Sequence, residues 1–129
     1  MTQQFIELGQ GYGDIYEICE LIKTNKHRYH NAFIIKAPIN GKTVASLAVA
    51  FKPVGESKFM PIYICLEGIP YSEDKPSKRI EIFDETVKSI GKQAITFELK
   101  HSSVFSEKTL YYQYVIGILR LNNYIPPLT

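Results

Sequence analysis

The chain has 129 residues, 45% of them hydrophobic, with 15 Lys plus Arg against 13 Asp plus Glu and a formal net charge of +2. That is room for one domain with a real core, residues 1–129, and none for a second. The charge excludes both the basic field of a typical nucleic-acid binder and an acidic tail, so nucleic acid is not expected as a partner. The opening residues 1–8 lack a basic stretch followed by an apolar one, and no apolar run approaches the ~20 residues needed to cross a bilayer. No membrane association and a cytoplasmic location are therefore expected.

In chain order, Phe5-Ile6-Glu7-Leu8 is a short strand that ends at the glycine-rich stretch 9–13. Asp14 is a natural N-cap, and Ile15, Ile18, Cys19 and Ile22 recur at helical spacing to about Thr24. Between Tyr29 and Lys52 two apolar runs flank Asn40-Gly41, the dipeptide that supplies the two positive φ angles of a type I′ hairpin turn. A two-residue loop sets Ile39 opposite Lys42, Ala37 opposite Val44, Ile35 opposite Ser46 and Phe33 opposite Ala48. The second of these strands is apolar on both faces, Leu47, Val49 and Phe51 on one and the small set Val44, Ser46, Ala48 and Ala50 on the other. It belongs in the middle of a covered sheet, where the small set lets a helix come close.

A further strand spans residues 59–66, and Ile95, Phe97 and Leu99 alternate inward on a strand over 94–100. Ile80, Phe83, Val87 and Ile90 form the stripe of a second helix that Gly91 closes. The third helix follows Ser106 and runs to about Asn122, with apolar residues around roughly two thirds of its circumference, far more than the ~100° stripe that one sheet face covers. The fold expected is α+β, a mostly antiparallel sheet of about four to five strands with three helices in the order β-α-β-β-β-α-β-α. Cys19 and Cys65 read as buried core thiols, since two well-separated cysteines make no disulfide framework.

Candidate sites are sparse. Gly9, Gly11 and Gly13 follow a strand and open a helix, where free backbone N–H groups attract anions. The spacing matches neither G-x-G-x-x-G nor the phosphate-loop pattern, and glycine there also serves positive φ. Residues 67–79 are the longest irregular stretch, in which Glu67, Tyr71, Lys78 and Arg79 could rim a pocket for an anionic ligand or simply form a solvated charged loop. His27, His30 and His101 have no Cys, Asp or Glu at zinc-type spacing, so neither a metal nor any other cofactor is expected. Phe33, Phe51, Phe59, Tyr63 and Phe97 on strands admit a base-stacking sheet, without the Lys/Arg-Gly-Phe motif that accompanies such sheets; aromatics on strands more often pack in cores.

Two resemblances carry further expectations. The succession helix, three strands, helix, strand over residues 14–100 is similar to the core of the restriction-endonuclease-like nucleases. That likeness implies an Asp on the second core strand and Glu-x-Lys on the third, around a magnesium ion. Residues 43–52 hold no acid, and the next strand offers only Glu67, followed by Gly68 and Ile69, so an active nuclease is not expected. Residues 5–17, FIELGQGYGDIYE, and 110–120, LYYQYVIGILR, resemble a family of short uncharacterised proteins from Bacillus-type Gram-positive bacteria. Some of its members carry a methylthioribose kinase label, yet this sequence has no phosphate-loop lysine, no histidine-aspartate catalytic loop and too little chain for two lobes.

The reading is thus a non-enzymatic binding or interaction module for a small ligand or a protein; the alternative is a small enzyme or degenerate nuclease-like fold acting on a phosphate-containing ligand. The width of the third helix also points to a homodimer. Tyr112, Ile116 and Leu119 are expected to face the partner, and Leu110, Tyr114, Ile118 and Leu121 to face the core, unless the tail 125–128 folds back as cover.

Overall fold

A computed structural model describes residues 2–8, 13–39, 41–72, 74–75, 77–99 and 108–126. Strand β1 (Thr2–Glu7) leads to helix α1 (Gly13–Thr24) and, through a 3-10 turn (Lys26–Arg28), to β2 (Tyr29–Ile39). Then follow β3 (Lys42–Phe51), β4 (Phe59–Pro70), α2 (Lys78–Ser89), β5 (Ile95–Glu98) and α3 (Lys108–Leu121). Among the described residues the strands form one five-stranded sheet in the order β1-β4-β3-β2-β5.

The sheet is mixed, which corrects the expectation of a mostly antiparallel one. β2–β3 and β3–β4 pair antiparallel, while β1–β4 and β2–β5 pair parallel. A helix carries the chain back along the sheet before β2 and again before β5, so β1, β2, β4 and β5 all point one way. Only β3, entered and left by non-helical loops, runs against them. We call the end at which the four co-directional strands finish the upper end, and the opposite one the lower end.

The hairpin forms with the expected register, Ile39 opposite Lys42 and onward to Phe33 opposite Ala48. Gly41 holds φ +77°, the left-handed conformation that its turn requires. Strand β4 is longer than the sequence suggested. It pairs past an irregularity as far as Val44 opposite Pro70, and Tyr71 N–H still donates to the Thr43 carbonyl at 3.0 Å. Residues 67–70 are therefore strand and not loop.

Each face of the sheet has its own core. Ile15, Ile18, Cys19 and Ile22 of α1, with Ile80, Phe83 and Val87 of α2, pack on Leu47, Val49 and Phe51. Tyr111, Val115, Ile116 and Leu119 of α3 pack on Phe33, Ile35, Ala48, Ala50 and Ile62. Alanine at 48 and 50 keeps the sheet surface low beneath α3, as the small-residue set implied. Ser77 caps α2, its side chain accepting from the Arg79 N–H, and Gly91 closes that helix at φ +77°. Helix α1 begins at Gly13, so Asp14 stands inside its first turn and is not the N-cap. Ser106, the expected cap of α3, lies outside the described residues.

Helix α3 is turned relative to the expectation, since Ile116 and Leu119 face the sheet and Leu110 and Leu121 do not, while Tyr114 and Ile118 still pack against the edge of the core. Ile116 is 8% exposed and Leu119 fully buried, whereas Leu110 is 48% and Leu121 84% exposed. Both stripes are apolar, so hydropathy does not choose between them. Polar complementarity does, because the inward face carries Tyr111, Tyr112 and Arg120, and the sheet beneath offers Ser46, Glu7 and Gln3. Past the helix, Asn123 turns at φ 60° and residue 125 packs back into the α3 core. Of the tail 125–128 expected as cover, residue 125 joins the inner core and residues 127–128 lie outside the described residues.

Candidate functional site

Three helices begin toward the upper end, α1 and α2 on one face of the sheet and α3 on the other. α1 and α2 begin there because they follow β1 and β4. α3 begins there because Tyr112, near its start, donates to Glu7 Oε1 at the end of β1, while Arg120 Nε, near its finish, donates to Gln3 Oε1 at 2.7 Å. The positive dipole ends of three helices thereby lie toward the upper end of the sheet, with the Arg79 N–H of α2 already taken by the Ser77 cap.

The sequence-derived site residues separate into three groups. Gly9 and Gly11 lie outside the described residues, and Gly13 is the first residue of α1 at the upper end. Glu67 sits in the β4 irregularity, where the four steps from Cys65 to Ile69 span what the two steps from Leu47 to Ala45 span on β3. Tyr71, Lys78 and Arg79 follow at the upper end, the first half-buried just past β4, the other two in the first turn of α2. Tyr112, Ile116 and Leu119 lie elsewhere, on the α3 core.

Lys36 was not singled out by sequence, and the structure puts it beside Tyr71. It is a half-buried lysine on β2, a strand inside the sheet, on the face that α1 and α2 cover. Its ammonium lies 4.9 Å from the centroid of the Tyr71 ring. Among the described residues no carboxylate pairs with it; Glu98 is its neighbour in β-register on β5, without an ion pair. A charge on an interior strand whose one partner is an aromatic face keeps most of its capacity to attract an anion. The signal in the sequence was a lysine inside the run Ala32-Phe33-Ile34-Ile35-Lys36-Ala37, which strand alternation alone reads as a solvent-side residue.

The other interior polar groups serve the fold. Gln3 Nε2 donates to the Pro126 carbonyl at 2.7 Å while its Oε1 accepts from Arg120, which ties β1, α3 and the tail together. Asn31 Nδ2 donates to the Tyr124 carbonyl at 2.6 Å. Tyr111 bonds buried Ser46, and burial pushes its phenol up to about 12 against the lowering effect of that bond. Burial, and then the Glu7 carboxylate beside it, raise the Tyr112 phenol as well. Burial raises the Cys19 thiol, and its bond to Thr86 lowers it. Cys19 and Cys65 are buried and not joined in a disulfide, as expected.

Several expectations on the sheet and its edges can be compared directly. Phe33 and Phe51 are fully buried and Tyr63 and Phe97 pack against the cores, so helices occupy the faces on which bases would have to stack; of the five aromatics only Phe59, at the start of β4, is exposed, at 36%. Strand β3, as bounded here, carries no acid where the nuclease likeness would need one. Among the described residues no three His, Cys, Asp or Glu side chains could hold a metal ion, and no helix is long and apolar enough to cross a membrane. His27 is exposed and His30 half-buried, its imidazole lowered by burial; His101 lies outside the described residues.

A family model described as a domain of unknown function (DUF7147) matches residues 1–125. No curated protein and no solved structure matches the chain.

Proposed function

We propose, for a chain that belongs to the DUF7147 family of unknown function, that it acts as a non-enzymatic binding module whose small ligand carries a phosphate or similar oxyanion. The seat is the upper end of the sheet, at Lys36, Tyr71 and the first turn of α2 with Lys78 and Arg79. One observation carries this reading: the Lys36 ammonium stands over the Tyr71 ring with no described carboxylate paired to it, at the end where three helices begin. The interior polar groups support the non-enzymatic part, because Gln3, Ser46, Asn31 and Thr86 are spent on bonds that join elements.

The proposal includes a cytoplasmic location and, from the resemblance of residues 5–17 and 110–120, a source among Bacillus-type Gram-positive bacteria. It takes nothing from the methylthioribose kinase label. It also includes a homodimer, now through the outward stripe of α3, where Leu110 and Leu121 are exposed. Ile116 and Leu119, expected at the partner, are buried against the sheet, and the Tyr112 hydroxyl is bonded to Glu7 of β1.

Thermal denaturation in the presence of inorganic phosphate, pyrophosphate, nucleotides and sugar phosphates tests the reading. A ligand held at 100 times its Kd adds about 2.7 kcal/mol, which for a domain of this size raises Tm by about 10 °C. Lys36→Met keeps the aliphatic stem and should abolish the shift. A shift that survives Lys36→Met, or none with any of these ligands, removes the seat. Turnover of a phosphorylated ligand removes the non-enzymatic claim.

A further inference from the structure

The chain-wide charge of +2 averages over a fold that sorts its charges. At the lower end β2, β4 and β5 begin, β3 finishes and the helices end. Lys58 immediately precedes β4, Lys52 immediately follows β3, Lys26 and Arg28 lie in the 3-10 turn before β2, and Lys92 lies just before β5. In sheet order β4-β3-β2-β5 this is a row of cations, one strand after the next. With neighbouring strands ~4.8 Å apart, the row is about 15 Å long.

Backbone contacts hold the main chain from which the row projects, and Arg28 alone is held through its side chain. Arg28 Nε and Nη2 both donate to the Lys52 carbonyl, at 3.1 and 3.0 Å, and the Lys52 N–H donates to the Arg28 carbonyl at 2.7 Å. The same guanidinium lies 5.9 Å from the centroid of the Phe51 ring. Thr2 N–H donates to the Lys58 carbonyl, and Lys92 N–H to that of Val87. Lys26, Lys52, Lys58 and Lys92 are exposed.

Among the described residues the ion pair formed at this end is Lys88–Asp84, 2.8 Å, on α2 itself; Glu56 in the β3–β4 loop and Glu85 on α2 do not pair with the row. Cations in the last turn of a helix, such as Lys23 and Lys88, complement its dipole. That account does not reach Lys52 and Lys58, which stand at strand ends.

We propose that the lower end docks the sugar-phosphate backbone of a nucleic acid. A row of cations set side by side on neighbouring strands matches a linear polyanion, because a duplex presents one negative charge per ~1.7 Å of axis and lays several phosphates along 15 Å. With both sheet faces covered by helices, the contact is to backbone and independent of base sequence. This goes beyond the small-ligand seat, which lies at the opposite end, and departs from the partner class that the averaged charge suggests.

Fluorescence anisotropy with a labelled 20-base-pair duplex of arbitrary sequence, titrated with the full chain at 50 mM salt, tests it. Binding should weaken linearly in log Kd against log salt, by about 0.9 per phosphate neutralised. Lys52→Glu with Lys92→Glu should weaken binding at least tenfold and flatten that slope by about 2, whereas Lys42→Glu at the upper end should not. Lys52→Gln with Lys92→Gln gives a smaller loss in the same direction and serves if the double Glu variant fails to fold. Absent binding at 100 µM protein, binding indifferent to these variants, or binding to phosphatidylserine vesicles without binding to the duplex overturns the proposal.

Discussion

Replacing Ile116 by Ala separates the two ways in which α3 could face. Ile116 is 8% exposed and packs with Val115 and Leu119 over the sheet, so truncation leaves a cavity beneath the helix. Removing a buried aliphatic side chain of this size costs about 2–5 kcal/mol, against a total stability of order 5–15 kcal/mol. With a urea m-value of about 1.5 kcal/mol per molar, a loss of about 3 kcal/mol lowers the denaturation midpoint by about 2 M. Leu121→Ala is the control. That side chain is 84% exposed, and its removal should move subunit stability by no more than about 0.5 kcal/mol. Sedimentation velocity on both variants completes the comparison: an effect on association belongs to Leu121→Ala and a loss of folding to Ile116→Ala. An unchanged midpoint for Ile116→Ala, accompanied by loss of association, would refute the facing of α3 described above.

Gly41→Val should destabilise the protein by about 1–2 kcal/mol, the cost of holding a β-branched residue in the left-handed region. A Cβ at this position would meet nothing within 4 Å, so the loss is conformational, and an unaltered urea midpoint would show that the turn does not need the positive φ. Tyr111 predicts alkaline sensitivity. Its phenol titrates at about 12 in the fold and near 10 when unfolded, so its contribution is complete below pH 10 and falls by about 2 kcal/mol as the pH rises to about 12. Tyr111→Phe should therefore show a shallower decline of stability over pH 10–12; an identical decline in both proteins would mean that this phenol is not the group responsible.

Local signals in the sequence translated well into structure. Asn40-Gly41 set a register that held as far as Asn31 opposite Ala50 and shifted only before it, and the spacings of Ile15, Ile18, Cys19 and Ile22 and of Ile80, Phe83 and Val87 named the buried faces of α1 and α2. Strand direction was less legible, because whether β1 and β5 join parallel or antiparallel depends on where the helical connections set them down. The facing of α3 was illegible for a different reason. Its two stripes are equally apolar, and the tie is broken by Tyr111 meeting Ser46 and Arg120 meeting Gln3, contacts between residues far apart in sequence. Lys36 was passed over because an isolated lysine in a strand reads as solvent-facing until the end of β4 brings Tyr71 against it. The basic row was hidden in the same way. Lys26, Lys52, Lys58 and Lys92 are scattered along the chain, and the shared direction of β2, β4 and β5 with β3 reversed between them is what collects them.

The most direct test of the upper-end seat is a two-dimensional NMR titration of the isotopically labelled chain with pyrophosphate, read residue by residue. The account predicts saturable amide shifts concentrated at Lys36, Tyr71 and residues 77–79, absent in Lys36→Met, with α3 and the lower-end residues Lys52 and Lys92 unmoved. Saturable shifts centred on any other surface, or the same upper-end shifts persisting in Lys36→Met, would contradict it.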